Sequence, residues 1–148
     1  GAARDTRPRI ANAVVAGHRH HHRHRLVADG LLHADRAEPA GADDAARSLA
    51  AGALQPAPTP HTIADGLRGA LSPRTFRALS AHVSAIGTCS EDAIVRAMRM
   101  TWERMKIVIE PSSAVPLAAL LNRPLNLQGK RVGIIFSGGN VDVSKLPF

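Results

Sequence analysis

The chain has 148 residues, a formal net charge of +7, eight histidines, one cysteine and four aromatic residues. This length allows a sizeable core, and the apolar fraction of 45% argues against wholesale disorder. A single cysteine excludes an internal disulfide framework and a multi-cysteine zinc module. No apolar run approaches the ~20 residues that span a bilayer, and no signal peptide is recognisable. We therefore expect a cytoplasmic chain without a membrane partner, and the initial Gly1 suggests a fragment.

The charge and the histidines are unevenly distributed. Residues 1–37 contain seven arginines, three acidic residues and six of the eight histidines, whereas residues 38–148 contain twelve basic and nine acidic residues. We therefore predict two segments. Residues 1–36 form an atypical His/Arg-rich leader, irregular or disordered, and residues 37–148 form the α/β part.

The tract from His18 to Arg25 has neither a helical nor a strand period. It is compatible with a solvated leader, with a metal-binding tract, or with a polyanion-binding tract. We expect no nucleic-acid partner, because histidine is largely neutral at pH 7 and no aromatic platform accompanies the tract. A shift of one base would turn these codons into codons for residues such as Ile, Thr, Val and Ala. An alternative interpretation is that the tract is an out-of-frame reading of a segment that encodes a helix.

The following part of the chain predicts alternating helices and strands. Two acids at 43–44 precede a helix-compatible run that Gly52 ends, and a proline-rich connector follows. Residues 62–71 are compatible with a short helix. Ser90 and the two acids after it predict a strong helix start. The apolar residues of this helix recur at three- and four-residue spacing and are Ile94, Val95, Met98, Trp102 and Met105.

The last third predicts a brief strand or connector, a helix and a buried strand. Residues 107–109 are too short for a helix. Ser112 or Ser113 can cap the next helix, and Pro116 then fits its first turn. Residues 131–136 are rich in β-branched side chains, which predicts an interior parallel strand buried on both faces.

This strand is followed directly by Ser137, Gly138, Gly139 and Asn140. Two glycines after a buried strand let the backbone approach a ligand closely, at the edge where open α/β sheets bind ligands. Alone, such a segment is often only a tight turn.

The segment occurs together with four other motifs. In chain order, the five are Pro60-His61-Thr62-Ile63-Ala64-Asp65-Gly66, Ser90-Glu91-Asp92, Trp102-Glu103-Arg104-Met105-Lys106, Ile109-Glu110-Pro111-Ser112-Ser113-Ala114 and Phe136-Ser137-Gly138-Gly139-Asn140-Val141-Asp142. Over roughly residues 37–148 they resemble the carboxy-terminal half of the serine racemase and threonine dehydratase family. These are fold-type II pyridoxal-phosphate enzymes. The resemblance implies a parallel sheet flanked by helices, with pyridoxal 5'-phosphate in a cleft between two domains.

The resemblance also implies roles for individual residues. Ser137 matches the serine that hydrogen-bonds the pyridine nitrogen of the cofactor. A neutral hydroxyl does not keep that nitrogen protonated as a carboxylate would, so the ring is a milder electron sink. Gly138 matches the position beside the ring, and Gly66 matches backbone that lines the cleft. Glu110 lies near the cleft in the family without an assigned role, and for Glu110 and Asp65 structural roles in capping and loops stay open.

The resemblance further implies a divalent-cation loop. Glu38 and Asp44 would supply carboxylate oxygens and Ala42 a backbone carbonyl. Ligation by oxygen alone suits Mg²⁺, Ca²⁺ or Mn²⁺ rather than Zn²⁺. The alternative is that both acids only cap a helix and carry solvated charge.

The family's Schiff-base lysine, substrate-carboxylate loop and glycine-rich phosphate loop lie upstream of the matched region. The lysines of this chain are Lys106, Lys130 and Lys145, and none stands in a motif that matches the Schiff-base site. Because imine catalysis needs a lysine amine held against the cofactor, we expect no catalytic residue in this chain. We also expect it to bind the cofactor weakly or not at all when alone.

By resemblance, the intact enzyme acts on a small hydroxy amino acid such as serine or threonine. Lysine removes the α-proton, water leaves from the β-carbon, and a 2-oxo acid and ammonia follow; racemases instead return a proton to the α-carbon. Intact family members are expected to be homodimers. One alternative is a non-catalytic metal- or polyanion-binding protein that uses the His/Arg tract. Another is a regulatory or decaying partial copy that folds poorly.

Overall fold

The computed structural model describes residues 12–15, 33–57, 59–122, 127 and 131–148. Within these ranges, parallel strands and α-helices alternate along most of the chain. The strands and helices are β1 Asn12–Val15, β2 His33–Pro39, α1 Asp44–Ala51, α2 Pro73–His82, β3 Val83–Cys89, α3 Glu91–Met105, α4 Pro111–Asn122 and β4 Val132–Ile135. Short 3₁₀ turns cover Ala40–Ala42, Asp65–Leu67 and Val143–Lys145. The predicted α/β class, a parallel sheet flanked by helices, is confirmed.

The strands form one sheet in the order β3-β2-β1-β4, and every neighbouring pair is parallel. The carboxyl ends of all four strands therefore meet at one edge of the sheet. The segments that lie at this edge are the turn after Pro39, the loop after Cys89 and the segment after Ile135. Ligands of open α/β sheets bind at this edge.

The sheet includes residues that were assigned to the irregular leader. β1 pairs with both β2 and β4, and β2 begins at His33. The predicted boundary between residues 36 and 37 thus falls inside β2. The expectation of irregular structure does not hold for residues 12–15 and 33–36, because their backbones complete the parallel ladder. The His18–Arg25 tract lies outside the described residues.

β4 occupies a different place in the sheet from the one predicted. It pairs with β1 alone among the described strands, so it is an edge strand rather than an interior one. Its residues are half-buried, and Ile135 is 42% exposed. A β-branched run fits a helix-covered edge strand as well as an interior strand, and sequence does not distinguish the two.

Two apolar clusters hold the helices to the sheet. The larger one joins α3 and α4 to β2 and β3 and includes Ile94, Met98 and Val115, which are fully buried. The smaller one joins α1 and α2 to β3 through Ala45, Leu79 and half-buried neighbours. β3 contributes Cys89 to the first cluster and Ile86 to the second, which places the clusters on opposite faces because strand side chains alternate.

Two helix predictions are confirmed by their caps. The Ser90 hydroxyl accepts a hydrogen bond from the Ala93 amide at 3.3 Å at the start of α3. Gly52 ends α1 with a φ of 64°, the left-handed conformation that glycine adopts without strain.

Other local predictions need correction. Instead of a helix over residues 62–71, only Asp65–Leu67 form a 3₁₀ turn, because Thr62 competes for the local hydrogen bonds. Its hydroxyl accepts from the Ala64 amide, and its carbonyl accepts two bonds from the Arg68 side chain. Residues 107–109 need no correction, since they form a connector, one of the two predicted alternatives.

The start of α4 also differs from the prediction. The helix begins at Pro111, so Pro116 lies inside it rather than in its first turn. Proline at the first position has a pre-set helical φ and needs no intrahelical donor, which favours this earlier start.

The helix α2 and the strand β3 were not predicted. The signal for α2 was present, since Ser72 caps it by accepting from the Thr75 amide and Pro73 occupies its first position.

Within the described part of the chain, no helix has the length and apolarity needed to cross a membrane.

Candidate cofactor site

The segment after β4 is fixed against the first turn of α4. The Gly138 amide donates to the Ser113 hydroxyl at 2.8 Å, and the Gly138 carbonyl accepts from the Glu110 amide at 3.1 Å. The Asn140 amide donates to a carboxylate oxygen of Glu110 at 3.0 Å. Three hydrogen bonds therefore hold the loop that begins at Ser137, while the Ser137 side chain itself stays exposed.

Gly138 and Gly139 are glycines for steric reasons. A Cβ on Gly138 would come within 2.8 Å of a carboxylate oxygen of Glu110, and one on Gly139 would come within 2.7 Å of the Val108 carbonyl oxygen. Both contacts are closer than Cβ atoms tolerate. The contact at Gly139 is to backbone, so the loop packs this closely on the α3–α4 connector because Gly139 has no side chain. A Cβ on Gly138 would instead force the Glu110 side chain to move.

A second glycine loop is fixed to the same helical turn. The Gly66 amide donates to the Ser112 hydroxyl at 3.1 Å and to the Asp65 carboxylate at 2.8 Å. Ahead of it, the Ile63 amide donates to Glu91 at 2.8 Å, which ties the loop to the start of α3. The other carboxylate oxygen of Glu91 is buried and has no hydrogen-bond partner among the described residues.

The structure thus brings four of the predicted site residues to one place. Gly138 and Glu110 are hydrogen-bonded to each other, and Ser137 directly precedes Gly138. Gly66 is attached to the first turn of α4 through Ser112. Asp65 accepts from the Gly66 amide, so its role in the turn is structural.

Ser112 and Ser113 were predicted as candidate helix caps, and this prediction is wrong. Both lie inside α4 and are buried, and their hydroxyls accept from the backbones of the two loops. Asn140 was quoted in a motif without a role. The sequence around Ser112 and Ser113 gave no signal for these contacts, because the partner of Ser112 lies 46 residues away and that of Ser113 lies 25 residues away.

The residues predicted to bind a cation surround the turn after β2. Glu38 lies in β2, Ala42 ends the 3₁₀ turn, and Asp44 begins α1. All three are buried. Glu38 accepts from the Ala46 amide at 3.0 Å, and Asp44 accepts from the Leu71 amide at 2.7 Å. No group of three or more His, Cys, Asp or Glu side chains suited to a metal occurs in the described ranges.

The turn after β2 is in direct contact with the segment that leads to Gly66. The His61 amide donates to the Gly41 carbonyl at 2.9 Å. A Cβ on Gly41 would overlap the His61 carbonyl, so only glycine permits this approach. The turn after β2 and the Gly66 loop therefore form one continuous layer at the carboxyl edge.

Cys89 ends β3 beneath this layer. It is 3% exposed, and its thiol lies 3.7 Å from the Glu38 carbonyl oxygen and 3.9 Å from the Val115 carbonyl oxygen. Burial raises the pKa of the thiol from its ordinary 9.0 to about 12, and the charge of Glu91 adds to the increase. The thiol is therefore neutral and acts as a packing group.

The residues present fit one side of pyridoxal phosphate. Ser137 offers an exposed neutral hydroxyl at the carboxyl edge, and Gly66 and Gly138 leave their flanks free of side chains. The lysines in the described ranges do not belong to either glycine loop. Lys106 ends α3 with a φ of 58°, and Lys145 pairs with Asp142 at 3.5 Å.

A parallel α/β sheet with glycine loops at its carboxyl edge defines a class of cofactor-binding domains. The profile of the family described as "Pyridoxal-phosphate dependent enzyme" matches residues 28–138. The chain belongs to this family.

Named relatives and solved structures agree with this assignment. The chain is 51% identical over 112 residues to a β-hydroxyaspartate dehydratase of Paracoccus denitrificans, a match that covers 76% of this chain and 36% of that protein. It is 47% identical over 114 residues to a serine racemase of Dictyostelium discoideum, covering 74% and 35%. The structure of maize serine racemase superimposes with a TM-score of 0.80 at 35% identity, covering 91% of this chain and 44% of that one. The chain thus spans about a third of the length of the relatives it matches.

The burial of Cys89 generates a prediction about its reactivity. Because the pKa of the thiol is raised to about 12, its thiolate fraction at pH 8 is roughly 1000-fold smaller than at an ordinary cysteine. We expect iodoacetamide to label the native chain at least ~100-fold more slowly at pH 8 than the same chain in 8 M urea. Equal labelling rates in the two conditions would contradict the buried position.

The same shift sets a pH dependence. The folded chain keeps the thiol neutral to a higher pH than the unfolded chain does. The corresponding stability is fully present below about pH 9 and is lost as the pH rises towards 12. Urea unfolding of the wild type and of Cys89→Ala at pH 8 and pH 10 measures this contribution.

Proposed function

We propose that this chain is the carboxyl-terminal part of a pyridoxal-phosphate enzyme that dehydrates or racemises a small β-hydroxy amino acid. The observation that carries the proposal is the attachment of two glycine loops to the first turn of α4, with the exposed Ser137 at the end of β4. The activities for which its relatives are named support this substrate class. They include β-hydroxyaspartate dehydratase, serine racemase and, at 41% identity, an L-threo-3-hydroxyaspartate ammonia-lyase of Pseudomonas sp.

The residues of this chain would hold the ring of the cofactor. When bound, pyridoxal phosphate supplies an electron sink for negative charge at the substrate α-carbon. The Ser137 hydroxyl would hydrogen-bond the ring nitrogen without keeping it protonated, because a hydroxyl is neutral at physiological pH. Gly138 and Gly66 would let backbone approach the ring. Glu110 would act on the ring only through the loop, since its carboxylate accepts from the Asn140 amide.

The chemical groups that move protons would come from elsewhere in the intact enzyme. Lys106 and Lys145 have structural positions, and Lys130 lies outside the described residues. The isolated chain is therefore expected to bind pyridoxal phosphate weakly and noncovalently. The homodimeric assembly and the cytoplasmic location predicted for the intact enzyme belong to this proposal.

A chimera tests the proposed function. The part of the Paracoccus β-hydroxyaspartate dehydratase that lies amino-terminal to the matched region is joined to residues 33–148. With pyridoxal phosphate and β-hydroxyaspartate, we expect release of ammonia and a 2-oxo acid. Ser137→Ala should lower kcat by roughly 5- to 150-fold, the loss of one hydrogen bond worth ~1–3 kcal/mol. Ser80→Ala, on an exposed position of α2, serves as the matched control.

Borohydride reduction of the chimera with bound cofactor locates the imine lysine. The adduct should map to the amino-terminal part. A folded but inactive chimera would contradict the proposal, as would a stoichiometric adduct on Lys106, Lys130 or Lys145.

We further propose that Glu38, Ala42 and Asp44 bind Mg²⁺, Ca²⁺ or Mn²⁺. The support for this proposal is that all three residues are buried around one chain reversal. Two carboxylates and a turn carbonyl would supply the all-oxygen ligands that these ions prefer. Binding would stabilise the turn that contacts His61, and hence the approach to the Gly66 loop.

Thermal unfolding with and without CaCl₂ or MgCl₂ tests the cation site. At a cation concentration 100-fold above Kd, the expected gain is ~2.7 kcal/mol, a rise of several degrees in Tm. Glu38→Gln and Asp44→Asn should abolish the rise. Asp43→Asn should retain it, because Asp43 pairs with Arg47 at 2.9 Å and is not among the proposed ligands. If the cation raised the Tm of Glu38→Gln as much as that of the wild type, the proposed ligands Glu38, Ala42 and Asp44 would be excluded as a set.

A further inference from the structure

Two consecutive buried serines connect the two glycine loops. The Ser112 hydroxyl accepts from the Gly66 amide at 3.1 Å, and the Ser113 hydroxyl accepts from the Gly138 amide at 2.8 Å. Ser112 is 1% exposed and Ser113 is fully buried. Neighbouring residues of an α-helix point about 100° apart, so the pair can reach two different loops from one helical turn.

Two other buried hydroxyls in the described helices donate within their own helix. The Ser48 hydroxyl donates to the Asp44 carbonyl at 2.6 Å, and the Thr101 hydroxyl donates to the Ala97 carbonyl at 3.0 Å. Both bonds run to the preceding turn of the same helix, which is the usual solution for such side chains. Ser112 and Ser113 lie in the first turn of α4, which has no preceding turn in the same helix. They accept from loops 46 and 25 residues away, whereas the outside partner of Ser48 is Gln55, just beyond the end of α1.

The Ser113 contact fixes the direction of Ser137. The amide of Gly138 is bound by Ser113, and the carbonyl of Gly138 is bound by the amide of Glu110. The peptide groups on both sides of Gly138 are thereby held by the same helical turn. On its other side, Ser137 follows Phe136, which packs against the larger core cluster. The Cα–Cβ bond of Ser137 therefore has a restricted orientation.

We propose that Ser112 and Ser113 are positioning residues for the cofactor ring. Ser113 aims the Ser137 hydroxyl, and Ser112 holds the Gly66 loop at a set separation from it. The pair acts through the loops rather than by contact with the ring. This role rests on the proposed function, since it assumes that the two loops flank a pyridoxal-phosphate ring.

Amide hydrogen exchange of the full 148-residue chain, measured by NMR, tests the contacts themselves. Ser113→Ala should speed exchange at Gly138 by about 10-fold or more and leave Gly66 unchanged. Ser112→Ala should do the reverse. Ser113→Thr keeps the hydroxyl and should restore protection at Gly138.

Ser48→Ala is the matched control for general destabilisation. It removes an equally buried hydroxyl, which accepts from the Gln55 amide at 2.9 Å, at a place remote in sequence from both loops. It should speed exchange at Gln55 and leave Gly66 and Gly138 unchanged. Uniform acceleration in all three alanine variants, or none at Gly138 in Ser113→Ala, would overturn the assignment of these contacts.

Titration with millimolar pyridoxal 5'-phosphate tests the positioning role. In the wild type, we expect shift changes at Gly66 and at residues 137–140. Ser113→Ala should weaken the apparent affinity by about 10-fold, and Ser113→Thr should restore it. Altered exchange with unaltered affinity would overturn the positioning role and leave a structural one. A wild-type chain whose spectrum does not change on addition of pyridoxal 5'-phosphate would also overturn the positioning role. Failure of the proposed function is detected by a different experiment, the activity measurement on the chimera.

Discussion

The arrangement of the candidate site depends on the hydrogen bonds that converge on the first turn of α4. Buried backbone amides need acceptors, and a glycine loop cannot supply them from its own side chains. Here Glu110, Ser112 and Ser113 supply acceptors for the amides of Asn140, Gly66 and Gly138. One helical turn thus fixes two loops that lie 72 residues apart in sequence.

The parallel sheet makes this convergence feasible. Because all strand pairs are parallel, the turn after β2 and the loop after β4 leave the sheet at the same edge. Helices α3 and α4 pack over that sheet through Ile94, Met98 and Val115, which places the start of α4 beside the edge. Gly41 and Gly139 then allow the surrounding backbone to close in without steric overlap.

Sequence was sufficient where the determinant is local. The Ser90 cap and the Gly52 terminator follow from side-chain chemistry within one turn, and both predictions are confirmed. The α/β class followed from the motifs of residues 60–142 and their resemblance to a known family. The grouping of Ser137, Gly138, Gly66 and Glu110 was predicted by the same resemblance, and the structure brings these four residues to one helical turn.

Sequence was insufficient where the determinant is long-range. A β-branched run does not reveal which neighbours it pairs with, so the edge position of β4 was missed. Thr62 and Arg68 divert the predicted helix through side-chain contacts that periodicity does not encode. The acceptor roles of Ser112 and Ser113 depend on loops that only tertiary structure brings near. The predicted leader includes sheet residues because ladder pairing, rather than composition, fixes where β2 begins.

The central claim is that the two loops tied to α4 form the side of a cleft that receives the pyridine ring. A crystal structure of the chimera with bound pyridoxal phosphate tests it most directly. We expect the ring nitrogen within ~2.7–3.2 Å of the Ser137 hydroxyl oxygen, with the ring flanked by Gly66 and Gly138. A ring nitrogen that faces another group, or a cofactor bound away from these glycines, would contradict it.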